Sequence, residues 1–248
     1  MLAVLHHIQN ELQAVRAQLG REIYFKAAKF DELVTLPLDD LDQTTCPAIV
    51  LAVSRACGLM GPQSVAMAVV LQFVYLADKV HRLISDGDDI PEELRQFPVL
   101  VGDFLYGKFF MELCREQLLE YLAPIAQAIE TMSQGTIARW LNRNKYLNAE
   151  ERLAILARER AALTGLAARI GAQLAEAPQG LQEKCEKFGY QLGLAWAAWQ
   201  EPMERQVIDR QLSRAAAILA ELPETPQFRV MAELYDYVAG RMAPQLEL

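Results

Sequence analysis

Two polar clusters carry the residues best suited to chemistry, and each closes a long apolar segment. The first is "DKVHRLISD", Asp78 to Asp86, and the second is "QEPMERQ", Gln200 to Gln206. Carboxylates grouped at a helix end that faces a cavity supply hard oxygen ligands for a divalent cation. In the first cluster His81, Arg82 and Leu83 interrupt the acids; an arginine repels a metal ion and a leucine offers no ligand atom. In the second, Glu201 and Glu204 flank Pro202, which ends or distorts a helix. Asp86 reads as a helix-end acid before Gly87 rather than a ligand, Glu201 and Glu204 as solvated acids, and His81 as a structural histidine rather than a base. If the two apolar segments lie side by side, their polar ends meet at one mouth of a helical bundle, where such folds build sites from facing helices. The plainer account is that both helices end in charge because they reach water.

The rest of the chain must position these clusters. It has 248 residues, 52% of them hydrophobic, with 13 Gly and 11 Pro. That is enough to bury a sizeable core. The formal charge is -8 and Lys and Arg are scattered singly. A nucleic-acid binder would carry a basic stripe, so this class is set aside. Cys46, Cys57, Cys114 and Cys185 form no C-x-x-C pair, and the His residues are His6, His7 and His81. A structural zinc site is therefore not expected. Scattered thiols, with Glu11 and Arg16 arriving early in place of a cleavable leader, point to a reduced, cytoplasmic protein. The uncharged run from Gly58 to Ala77 is interrupted by Pro62, Gln63, Ser64 and Gln72. Its helical part, ~16 residues, falls short of the ~20 needed to cross a bilayer, so it is expected to be a core helix and no transmembrane segment is expected.

Apolar residues recur at three- and four-residue spacing nearly throughout, and alternating strand patterns are missing. The expected helices lie near 2–19, 22–34, 47–57, 63–86, 99–115, 117–133, 149–175, 179–199, 203–221 and 225–241. Pro62 suits a first helical turn, and "LNAEER" places Asn148 and Glu151 as a capping box. No low-complexity linker or repeat divides the chain. One all-α domain over 1–248, of about ten helices, is expected. The segments 63–77 and 188–199 are apolar all round and belong at the centre of a bundle.

Several stretches together resemble the trans-isoprenyl (polyprenyl) diphosphate synthase family. "VLVGDFLYGKFF" (Val99–Phe110) is similar to its V-L-A-G-D-Y-L-L-A-R-A-F helix, and "MSQGTIARW" (Met132–Trp140) to the M-S/V-E-G-x-I/L segment that follows. "LTGLAARIGAQLA" (Leu163–Ala175), "FGYQLGLAWAAW" (Phe188–Trp199) and the closing "LPETP…LYDYVAGR" resemble later family helices in the same order. The resemblance runs from about residue 20 to 242, and its order and spacing are more specific than any single piece. It implies an isoprenoid-synthase-type orthogonal bundle around a central cavity. In that family two D-D-x-x-D motifs on facing helices hold Mg²⁺, which neutralises the diphosphate leaving group as an allylic cation forms.

Against that requirement the chain departs at most of the charged positions, keeping only the His and the last Asp of the first motif and two acids in the second. The family's H-D-D-x-x-D falls on His81, Arg82, Leu83, Ile84, Ser85 and Asp86. The second motif falls on Ala197 to Glu204, leaving Gln200, Glu201 and Glu204 as its polar remnants. The basic G-G-K-R-x-R-P falls on Leu41 to Pro47 without a basic residue, and K-T-A on Glu159, Arg160 and Ala161. This pattern resembles the small, catalytically deficient subunit of heteromeric polyprenyl diphosphate synthases.

That resemblance implies no catalytic residue, no metal and no cofactor in this chain, with Mg²⁺ held by a catalytic synthase partner in a heterodimer or heterotetramer. A homodimer is the alternative for the chain in isolation. Arg82 is expected to fill the vacated metal space and pair with Asp86 or Glu201. Tyr75, Leu76 and Ala77 take positions that line the cavity for the prenyl diphosphate chain in the family, and Trp196 and Trp199 are candidates for core or interface. Two other readings share the fold: a divergent but active class I prenyltransferase or terpene enzyme using Asp86, Glu201 and Glu204, and a stand-alone prenyl-lipid carrier.

Overall fold

The computed structural model describes residues 5–23, 38–83 and 92–243. Within them the protein is all-α: nine helices, counting the continuous stretch 149–174 as one. After a 3₁₀ turn at His6–Ile8 come α1 (Gln9–Glu22), α2 (Asp40–Ala56), α3 (Pro62–His81), α4 (Glu92–Arg115) and α5 (Leu122–Leu141). Then follow α6 (149–174), α7 (Gln179–Gln200), α8 (Arg205–Ala220) and α9 (Arg229–Arg241). The helix expected over 22–34 lies mostly outside the described residues.

Local chemistry sets the limits. Asp39 caps α2 through the Asp42 amide while the Asp42 carboxylate accepts from the Asp39 amide, a reciprocal capping box. The box starts the helix a full two turns before the expected residue 47, so Pro47 lies inside it. Gly58 ends α2 with φ +99°, and Leu59 donates back to the Ser54 carbonyl in the manner of a Schellman cap. Pro62 opens α3, and Asn148 and Glu151 form the expected box on α6. α4 begins at Glu92 rather than 99, with Pro98 inside, and α5 runs to Leu141 rather than 133.

α3 forms the axis, packed against α2, α4 and α6; α6 in turn packs against α2 and α7, and α7 against α8. Phe73, Tyr75, Phe109, Phe188 and Trp196 are wholly buried and fill the centre. Each such side chain contributes ~1.5–3 kcal/mol relative to exposure. α3 has the length and hydropathy of a membrane span, and 83% of that stretch is buried within the fold. At 20 residues it is shorter than the 63–86 expected but longer than the ~16 of its uncharged part, so its burial, not its length, makes it a core helix. Where α6 and α7 cross, a Cβ on Gly193 would stand 1.8 Å from Thr164 Oγ1, so glycine sets how closely the two helices approach.

One irregularity bears on the site. Ala157–Ala161 forms a π turn within α6. The wider turn buries the consecutive residues Glu159 and Arg160 together, and π turns of this kind recur at functional sites.

Candidate functional site: a charged cleft at the bundle mouth

The C-terminal ends of α3 and α7 do meet at one mouth of the bundle. A cleft of about 550 Å³ opens there, lined by Asp39, Asp42, Lys79, Arg82, Leu83, Arg139, Arg160, Trp199, Gln200 and Glu201. α2, α3, α5, α6 and α7 all contribute to its walls.

On one wall, buried Asp42 accepts hydrogen bonds from the Tyr75 hydroxyl, the Lys79 ammonium and, at 2.9 Å, Gln200 Nε2. Gln200 also donates to Asp39 at 3.1 Å, and Gln72 to the Asp42 carbonyl at 2.9 Å. Burial pushes the Asp42 carboxyl up, but these donors outweigh it and hold the group below the usual carboxylate value.

On the other wall Arg139 forks onto buried Glu159, Nε to Oε1 at 2.9 Å and Nη2 to Oε2 at 2.6 Å, the bidentate geometry that arginine favours. Its third nitrogen reaches Glu201 at 3.0 Å. A Cβ on Gly135, one turn before Arg139, would stand 2.7 Å from Glu159 Cγ, so that glycine admits the glutamate beneath α5. Arg82 lies 2.9 Å from Asp78 and 3.6 Å from Glu159. Burial raises the Asp78 pKa, and the Arg82 and Arg160 charges offset it only in part. The Arg160 guanidinium stacks 4.4 Å from the Tyr75 ring and 4.7 Å from the Trp196 ring, with Nε and Nη1 lacking a hydrogen-bond partner. Burial lowers its pKa.

The sequence candidates fall unevenly around this cleft. Arg82, Leu83, Trp199, Gln200 and Glu201 line it. Arg82 does occupy its mouth, but its acids are Asp78 and Glu159, while Glu201 belongs to Arg139. Asp86, the other expected partner, lies outside the described residues. Glu204 is exposed beyond the end of α7 and does not line the cleft. His81 packs on α4, its Nε2 3.3 Å from the Val99 carbonyl and 3.3 Å from Asp103. Tyr75, Leu76 and Ala77 are buried and none lines the cleft, because the Arg160–Tyr75–Trp196 stack fills the space beneath it. Trp196 is likewise wholly inside the chain, whereas Trp199 is half-buried at the cleft.

Asp42, Lys79, Arg139, Glu159 and Arg160 were not singled out as site residues. Their signal lay partly in stretches already quoted: Lys79 sits inside "DKVHRLISD", and Glu159 and Arg160 fall on the resembled K-T-A segment. Among the described residues no group of three or more His, Cys, Asp or Glu is placed to hold a metal ion. The donor set does not fit a divalent cation, since Asp42, Asp78, Glu159 and Glu201 each face a protein cation instead.

No family model matches the chain. It is 24% identical over 159 residues to octaprenyl diphosphate synthase of Haemophilus influenzae, a match covering 60% of this chain and 48% of that protein. The chain spans about half the length of the curated relatives it matches. Among solved structures it is similar to a polyprenyl synthase from Caulobacter crescentus, complexed with calcium and isoprenyl diphosphate. The TM-score is 0.78 at 18% identity, covering 96% of this chain and 99% of that one. A mint heterotetrameric geranyl pyrophosphate synthase, as a deletion mutant with ligands, gives a TM-score of 0.70 at 17% identity, over 92% and 99%. The fold is the all-α polyprenyl synthase fold.

Proposed function

We propose that this chain is an accessory, non-catalytic subunit of a polyprenyl diphosphate synthase, pairing with a catalytic subunit that condenses isopentenyl diphosphate with allylic diphosphates. The observation that carries this reading is Arg82. It stands where the resembled family has the first metal-binding carboxylate, and it is ion-paired with Asp78 and Glu159 across the cleft mouth. A magnesium–diphosphate complex needs carboxylates facing an open space; here that space is spanned by protein cations and acids that neutralise one another. Catalysis, Mg²⁺ and substrate ionisation then fall to the partner, and this chain contributes shape to the assembly and influences activity and product length in isoprenoid biosynthesis.

The surface supports a partner of the same fold. α4 packs on one side against α3, and its other side exposes Val99, Leu100, Phe110 and Met111 at helical spacing. A contiguous apolar helix face marks an interaction surface in a soluble protein. The similarity to a heterotetrameric synthase makes a second synthase subunit the occupant we assign to it.

The test is co-expression with a full-length polyprenyl diphosphate synthase from the same source. The purified chain, given isopentenyl and allylic diphosphates with Mg²⁺, is expected to turn over nothing, and the complex is expected to make long products. Turnover by the chain alone would transfer the assignment to a divergent active prenyltransferase. A candidate synthase that is fully active alone and does not bind the chain would remove the accessory role.

A further inference from the structure

We propose that a second pocket, adjoining the cleft, binds a phosphate-bearing anion without a metal ion. The proposal goes beyond the subunit reading and does not depend on it. The pocket, about 220 Å³, lies between the end of α5, the loop that follows and the start of α6, and Arg139, Arg143, Lys145 and Arg152 converge on it. Among the described residues Glu201 is the one acid that lines it.

The way these cations are held points to a ligand. Arg143 donates to the Trp140 carbonyl at 3.0 Å and stacks 4.0 Å from the Trp140 ring. Lys145 donates to the Asn142 side-chain oxygen at 3.2 Å, and Arg152 to the Glu201 backbone carbonyl at 3.2 Å. All three partners are neutral, and none of the three cations has a carboxylate at ion-pair distance among the described residues. The fold thus fixes three positive charges around one hollow and leaves them unneutralised, in a chain whose net charge is -8. A multiply charged oxyanion satisfies such a set, because guanidinium and ammonium donors together match phosphate oxygens. Leu147 and Ile155 line it with apolar surface, and Trp140, on which Arg143 stacks, is exposed. The anion could therefore be free in solution or be carried on a lipid headgroup; the recognition chemistry is the same.

The pocket also touches the cleft. Arg139 is shared by both, and its Nη1 is held by Glu201 at 3.0 Å. A bound phosphate competes with Glu201 for that nitrogen, so occupancy loosens the contact between α5 and the end of α7.

The test is a titration of the full chain, in chelator and without metal, with inorganic phosphate and diphosphate, read from indole NMR signals. The Trp140 signal is expected to shift saturably while the buried Trp196 signal stays. The Lys145→Ala/Arg152→Gln double variant, with its fold checked by circular dichroism, is expected to lose ~tenfold or more in affinity as two charge-assisted contacts disappear. Glu201→Gln is expected to bind ~threefold tighter because the competing acid is gone. A parallel arm measures co-sedimentation with phosphatidylglycerol vesicles against phosphatidylcholine vesicles. Vesicle binding abolished in the double variant, without a response to free phosphate, assigns the anion to a lipid headgroup. A response to neither probe, or binding that the double variant leaves unchanged, overturns the proposal.

Discussion

The Arg82 guanidinium stands 3.6 Å from the Glu159 carboxylate, and the two residues carry charges exchanged relative to the family they resemble. On the sequence resemblance, position 82 would fall on a metal-binding aspartate and position 159 on the lysine of the K-T-A segment. The pair spans the space between α3 and the π turn of α6. An isolated buried charge costs several kcal/mol; here Arg82 also meets Asp78 at 2.9 Å and Glu159 also takes the Arg139 fork, so each charge at the mouth of the bundle has a partner.

Removing Arg82 should therefore cost stability and gain nothing in chemistry. Asp78 and Glu159 are both nearly inaccessible, and Arg82→Asp would leave three acids without a local cation other than Arg139 and Arg160. Breaking one partner of a buried pair costs ~3–5 kcal/mol. Urea denaturation should show a loss of that order for Arg82→Asp, with prenyltransferase assays remaining at background. Turnover in the variant would mean that the cleft needs only one more acid to work.

Acid should unfold the protein partly through Asp42. Burial raises its pKa, but the donors Lys79, Tyr75, Gln200 and the Asp39 amide lower it further, so its folded value lies below the unfolded value near 3.8. A depressed acid contributes stability that is fully present above the unfolded value and is lost as pH falls from there through the folded one. Asp78 works the other way: its raised value means that ionisation costs stability, and protonation at a pH above 3.8 relieves that cost. The measurable consequence is Asp42→Asn. At neutral pH the variant should be ~3 kcal/mol less stable, because Lys79 loses its buried partner. Its denaturation midpoint should also fall less steeply than that of the unaltered chain below pH 3.8.

Helical periodicity made most of this fold legible. The placement of α3 and α7 at the centre followed from their being apolar all round, and the meeting of "DKVHRLISD" with "QEPMERQ" followed from that placement. What sequence pattern missed were pairings between distant charges. Arg139 and Glu159 lie 20 residues apart on different helices, and nothing local announces that Gly135 leaves room for the glutamate. Pro47 and Pro98 read as helix limits because proline usually is one, yet each lies inside a helix, Pro47 in one begun earlier by the Asp39–Asp42 capping box. Tyr75 and Trp196 occupied positions suited to cavity and interface; their rings instead pack on each other, 5.3 Å apart, and on the Arg160 guanidinium, which lines the cleft above them.

Charging the outer face of α4 should separate assembly from folding. Leu100 and Met111 are each 65% exposed, so glutamate at either position should change the stability of the chain by no more than ~0.5 kcal/mol. The same change at the centre of an apolar interface leaves a desolvated charge and weakens binding ~30-fold or more. Leu100→Glu/Met111→Glu should therefore keep its thermal midpoint and lose co-purification with the catalytic subunit. If the chain forms a homodimer in isolation through this face, light scattering should show that dimer lost as well. Unaltered co-purification would place the partner elsewhere on the surface.

Two glycines of "FGYQLG" should tolerate no side chain, whereas a third glycine of the same helix should welcome one. A Cβ on Gly189 would stand 2.5 Å from the Thr164 carbonyl oxygen, and one on Gly193 1.8 Å from Thr164 Oγ1. The Thr164 carbonyl is backbone and cannot yield as a flexible side chain can, and at Gly193 the Thr164 Cβ itself stands only 2.7 Å away, so α7 would have to move off α6. Overpacking of a buried contact costs ~1–3 kcal/mol. Gly180, in the first turn of α7, is exposed and has nothing within 4 Å of where a Cβ would lie. There alanine should stabilise by ~0.4–1 kcal/mol, chiefly by restricting the unfolded chain. Thermal denaturation of Gly189→Ala, Gly193→Ala and Gly180→Ala should thus give two midpoints below that of the unaltered protein and one above. Equal effects at all three would mean that the α6–α7 crossing is looser than these distances require. The Arg160 stack between Tyr75 and Trp196 would then lack the rigid backing that holds it beneath the cleft.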